Sequence, residues 1–138
     1  AVTTQTQALA DFSLQVRKSS TWPLRVEEDQ EGEEGRFWLA KITGDPERLE
    51  GTMTFAGKVF KEGWIVAKAQ YYSLLRERGG EAARERVYKL LPTDTYLSLN
   101  HIIRLGSPVT LVVDSKAKSK PKPWVLKAAD RARIEAAL

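Results

Sequence analysis

The sequence predicts a mostly β protein: a small SH3-like antiparallel barrel with extra strands, followed by a C-terminal α-helix. Three observations carry that expectation. Five to seven apolar runs of strand length recur along the chain, separated by turn residues. Several of these runs alternate in polarity with the period of two that a pleated strand requires. Only the last fifteen residues, rich in Ala, Arg, Glu and Leu, read with helical spacing.

The elements follow in order. "FSLQVRK" alternates Phe12, Leu14 and Val16 with polar neighbours, which reads as a short strand or the edge of one. "DQEGEEG" is a glycine-punctuated acidic loop. "RFWLAKI" is a strand with Trp38, Ala40 and Ile42 on one face and Phe37, Leu39 and Lys41 on the other. "TGDPERLEG" is a turn broken by Asp45-Pro46, and "GTMTFAGKVF" has room for one short strand around Met53 to Phe55.

"WIVAKAQYY" alternates most clearly. Ile65, Ala67, Ala69 and Tyr71 are small and apolar enough to face a core, which points Trp64, Val66, Lys68, Gln70 and Tyr72 outward. "RERGGEAARER" reads as a charged hairpin loop around Gly79-Gly80, with room for a helical turn at 81–84. "RVYKLLP" is a strand stopped by Pro92, "YLSLN" another, and "HIIRL" either a turn or a continuation. "VTLVV" is a short, fully apolar strand. This divides the chain into a barrel domain over 1–114 with an acidic loop at 27–35, a basic linker over 115–123, and a helix over 124–138.

Composition narrows the functional classes. A chain of 138 residues buries a core without staples, and 42% apolar with 29% charged residues is ordinary for a globular domain. There is no cysteine, which removes disulfides and thiolate metal sites. No apolar run approaches the ~20 residues of a membrane-spanning helix. The chain begins with Ala, as a piece of a larger protein does. Catalytic residues are not expected: the single histidine, His101, has no second His or Cys beside it, no phosphate-binding glycine loop is present, and the acidic pairs lie in a loop. No metal or cofactor is expected for the same reasons.

The net charge of +4 hides two opposed segments. Six carboxylates fall between Glu27 and Glu34, and seven Lys or Arg between Lys116 and Arg133 face one Asp.

Three segments carry a family resemblance: "FWLAKI", "WIVAKAQYYSLLRERGG" and "ERVYKLLPTDTYLSLNHIIRLGSPVTLV". Over about residues 36–113 the chain resembles a BAH (bromo-adjacent homology) module or, more broadly, a Tudor-like chromatin reader. It departs from the BAH pattern in having Tyr71-Tyr72 as its aromatic pair, "SLLRER" after it, and "KLLP" in the hairpin. The resemblance implies a nuclear protein that recognises a histone tail or another chromatin protein.

A methylated ammonium gives up hydrogen bonds and is held best against two to four aromatic faces. The cage candidates are Trp38, Trp64, Tyr71, Tyr72 and Tyr96, with Trp38, Tyr71 and Tyr72 favoured and Tyr96 as a further wall. Trp64 lies about 26 Å from Tyr72 along a straight strand, too far to share a cage with it. The bland alternative is that these rings are core. A second reading is sequence-independent DNA or RNA binding through Lys116, Lys118, Lys120, Lys122, Lys127, Arg131 and Arg133, extended by Arg76, Arg78, Arg84 and Arg86, with Trp124 as a stacking face. Its bland counterparts are a basic linker and a nuclear-localisation signal in "KAKSKPK". A third is a scaffold domain in a larger assembly.

Overall fold

The computed structural model describes residues 11–25, 37–79 and 84–138. The acidic run at Glu27–Glu34 and most of the helical turn expected at 81–84 lie outside the described residues.

The described residues include the strands β1 (Thr21–Arg25), β2 (Phe37–Ile42), β3 (Glu47–Arg48), β4 (Met53–Phe55), β5 (Lys58–Phe60), β6 (Ile65–Arg78), β7 (Glu85–Leu90), β8 (Thr95–Ser98), β9 (Leu111–Val113) and β10 (Trp124–Leu126), a 3-10 turn at Leu99–His101 and the C-terminal helix α1 (Ala128–Ala136). The main sheet runs β1-β2-β6-β7-β10-β9, with β3 and β8 also paired to β6, and every pairing is antiparallel. It curls into a half-barrel. Bridges from Thr21 to Val109 and from Leu24 to Ile102 tie its first edge to the segment that precedes β9. The protein is thus mostly β, barrel-like, with extra strands and a C-terminal helix, as its sequence pattern implies.

Strand β6 organises everything else. Its first half pairs with β3 and β8, its middle with β2, and its second half with β7. A register shift between Leu74 and Arg76 marks an extra residue on β6. Such a bulge bends the strand and increases its twist.

Because the sheet curls, both faces of β2 and β6 are covered. One core collects Phe12, Val16, Trp22, Leu24, Ala40, Ile42, Ile65, Ala67, Ala69 and Leu97. A second, on the opposite face, collects Phe37, Leu39, Tyr72, Tyr88, Ile103, Val109, Leu126 and Ile134. This corrects the expectation for the tyrosine pair. The alternation holds, but the face assigned to solvent has its own core, so Tyr72 is 5% exposed. Tyr71, expected inward, is half-buried at the edge of the first core.

Four further boundaries differ from the sequence expectation. Residues 11–13 are helical rather than extended, so Phe12 and Val16, four apart, both reach the core while Leu14 faces solvent. The edge strand β1 is hidden in the sequence by Pro23, which an edge tolerates because its missing N–H is not needed there. The charged segment Arg76–Arg78 belongs to β6, paired with Val87, Arg86 and Glu85, and not to a loop. Trp124–Leu126, expected as the start of the helix, is β10, inserted between β7 and β9; the helix starts at Ala128.

The β4–β5 hairpin turns on Ala56 and Gly57, both with positive φ (51° and 79°). Two left-handed central residues define the type I′ turn, for which Asn-Gly is the preferred pair. A Cβ at Ala56 is strained there, so Ala56→Asn is expected to stabilise the protein by about 1 kcal/mol, roughly 4 °C in Tm. A thermal melt followed by circular dichroism checks this; an unchanged or lowered Tm would contradict the turn assignment.

Candidate functional site

Four half-buried aromatics from different parts of the chain line a single cleft of about 420 Å³. Trp38 comes from β2, Trp64 from the turn before β6, Tyr71 from the middle of β6, and Tyr96 from β8. Leu24, Leu97 and the buried ring of Phe60 add apolar surface, and Lys58, Val59, Ser98 and His101 complete the wall.

Register explains part of the convergence. Ala40 on β2 pairs with Tyr71 on β6, so Trp38, two residues along on the same face, lies diagonally beside the tyrosine. The rings meet at right angles, with centroids 6.0 Å apart and an interplanar angle of 84°. Two perpendicular faces form a corner. Tyr96, paired with Lys68, is already engaged: its ring packs edge-on against Phe55 at 5.0 Å, and Lys68 Nζ lies 5.9 Å from its centroid. Trp64 is placed by a tight turn in which Gly63 adopts φ 86° and donates its N–H to Leu49 O. That turn is one position where the backbone calls for glycine.

Of the five cage candidates, the cleft therefore brings together Trp38, Trp64, Tyr71 and Tyr96. Tyr72 is excluded, packed edge-on against Tyr88 in the second core at 6.3 Å. The two ends of the strand are not separate sites: Trp64 and Tyr71 line one cleft, which follows the strand rather than ending at a point.

No carboxylate lines the cleft among the described residues. Arg25 borders it, but its guanidinium donates to Ala137 O at 3.3 Å, at the end of α1. Burial holds the Tyr71 phenol above its ordinary pKa, so it remains a neutral hydrogen-bond donor. In sequence, the acidic run Glu27–Glu34 lies between Arg25 and Trp38, both of which line the cleft.

The seven basic candidates divide sharply. Arg131 is 8% exposed and bonds Glu77 at 2.8 Å and Glu135 at 3.3 Å. Arg133 holds Asp130 at 2.8 Å and Ser107 at 3.0 Å. Lys127 reaches Glu85 at 3.2 Å. Lys116, Lys118, Lys120 and Lys122 are exposed on the segment joining β9 to β10. Among the arginines considered with them, Arg86 is 6% exposed, bonded to Glu77 at 3.0 Å and stacked over Phe37 at 4.9 Å. Trp124 is half-buried against the second core.

Sequence reasoning missed Phe60 and Lys58 as cleft residues, because the β4–β5 hairpin that presents them lacks the usual turn pair. Among the described residues, no group of three or more acidic or histidine side chains is placed to hold a metal, and no helix is long and apolar enough to cross a membrane. Compared with known proteins, the chain matches no family model, no curated protein and no solved structure.

Proposed function

We propose that this chain is a non-enzymatic binding module that holds an extended segment of a chromatin protein, a histone tail foremost, in the aromatic cleft. The observation that carries the reading is the convergence of Trp38, Trp64, Tyr71 and Tyr96 on one cleft from three separate stretches of sequence. The likeness of residues 36–113 to BAH and Tudor-like modules supplies the chromatin context.

The chemistry of the walls favours a methylated lysine over an unmodified one. An unmodified ammonium entering the cleft loses water and meets no carboxylate among the described lining residues. A methylated ammonium needs fewer hydrogen bonds and is attracted by ring faces, and the perpendicular Trp38–Tyr71 corner offers two. The length of the cleft, from Trp64 to Tyr71 along β6, suits the residues flanking the modified side chain.

An NMR titration with trimethylated and unmethylated histone-tail peptides tests this. The expected result is methylation-dependent shifts at the Trp38 and Trp64 indoles, and affinity weakened roughly 30-fold by Trp38→Ala, the ~2 kcal/mol of a desolvated cation–π contact. Identical shifts with both peptides, or shifts scattered away from the cleft, would remove the methyl-lysine reading.

A further inference from the structure

We infer that the loop between β9 and β10 is a second, independent docking surface, and that its partner is the phosphate backbone of duplex nucleic acid. Lys127, Arg131 and Arg133 are ion-paired within the fold. Lys116, Lys118, Lys120 and Lys122 are exposed, and none has a carboxylate within 4.0 Å among the described residues.

The base of the loop adds to the positive field. Asp114, 5% exposed, is shared by Arg78 at 3.2 Å and Arg76 at 3.7 Å; Arg78 is also held by Glu85 at 3.4 Å, which leaves Arg76 with a half share of one carboxylate. The side chain of Arg76 is 55% exposed. A recess lined by Arg78, Glu85, Asp114, Ser115, Lys116 and Lys127, three cations against two carboxylates, opens beside it.

The loop is held rather than loose. Asp114 N–H donates to Pro123 O at 2.9 Å, Ala117 N–H to Asp114 O at 3.1 Å, and Lys122 Nζ to Ser115 O at 2.8 Å. A fixed loop presents its lysines at a lower entropic cost than a free tail.

The form of the partner follows from what is missing. Trp124, the one aromatic close in sequence to these lysines, is half-buried against the second core and so offers only part of its ring to an unpaired base. Cations without a stacking ring recognise phosphates and not bases, so binding is expected to be indifferent to sequence and to accept a duplex.

Fluorescence anisotropy of the full chain with a labelled duplex DNA tests the proposal. Four phosphate contacts predict an affinity falling about a hundredfold between roughly 50 and 200 mM salt. Lys116→Glu with Lys118→Glu, both at exposed positions, should weaken binding at least tenfold with an unchanged circular-dichroism spectrum, while Trp38→Ala should leave it unaltered. Salt-independent binding, or an undiminished affinity in the double variant, would overturn the inference. So would a polyglutamate peptide that displaces the duplex at equal charge concentration, because that would make the surface a general acceptor of acidic chains.

Discussion

Ending the chain at Asp114 is expected to abolish cooperative folding and not to trim an appendage. The residues removed include β10, the strand between β7 and β9, and α1, whose Ile134 is fully buried. Val125 and Leu126 are also buried, at 1% and 0% exposure. Each such side chain contributes about 1.5–3 kcal/mol, so together they match much of the ~5–15 kcal/mol that holds a domain folded. The loss also uncovers Tyr88 and Leu39 in the second core and leaves β7 with an open edge. Urea denaturation of the 1–114 fragment should show no sigmoidal transition. Ile134→Ala in the full chain should lower stability by about 2–5 kcal/mol. A fragment that unfolds at the midpoint of the full chain would mean that the C-terminal segment is an ornament.

The second large effect is expected at Glu77. Its carboxylate receives Arg86 Nε at 3.0 Å and Arg131 Nη2 at 2.8 Å, so one anion separates two buried cations. Glu77→Ala removes the anion the two guanidiniums share and sets their like charges against each other, with Glu135 still on Arg131 and Tyr88 OH still on Arg86. The expected cost is about 3 kcal/mol, the lower end for a broken buried pair, because the glutamate itself is partly exposed. Adding Arg131→Met should recover part of that loss by removing one of the stranded charges.

The same contact sets an acid limit. The hydrogen bond from Arg86 holds the Glu77 carboxyl below its ordinary pKa, and Lys127 does likewise for Glu85. A carboxyl with a depressed pKa in the folded state stabilises the protein above its unfolded pKa, and that contribution is lost as pH falls through the folded value. Stability should therefore decline as pH drops below about 4.5, the ordinary value, and the decline should be shallower in Glu77→Ala. Urea midpoints between neutral and acid pH measure both slopes. Parallel slopes would show that Glu77 does not titrate with folding.

How far these features are legible in sequence depends on whether the signal is local. The strands β2, β7 and β8 and the first part of β6 are legible because alternation and turn residues are properties of adjacent positions. So are four of the five aromatics that line the cleft, since residue type and strand position together pick them out. The fate of Tyr72 is not local. Period-two alternation separates it from Tyr71 but does not say that the far face of β6 is roofed by Leu126 and Ile134. The same gap hides β10: Trp124, Val125 and Leu126 run straight into a helical segment, and only β7 and β9 alongside make them a strand. Arg86 and Arg131 look like surface charge for a related reason. What joins them is their shared bond to Glu77, nine residues before Arg86 and fifty-four before Arg131, in no pattern that spacing reveals.

The two-faced character of β6 also bears on how the protein is made. A ribosome releases Phe37, Leu39 and Tyr72 well before it releases Leu126 and Ile134, their partners in the second core. Until those later residues emerge, the nascent sheet has one face finished and the other greasy and uncovered, with β7 presenting an unsatisfied edge. Such an intermediate is a substrate for chaperones and a seed for aggregation. Synthesis that pauses after β9 should therefore yield insoluble product, whereas a pause after α1 has emerged should not.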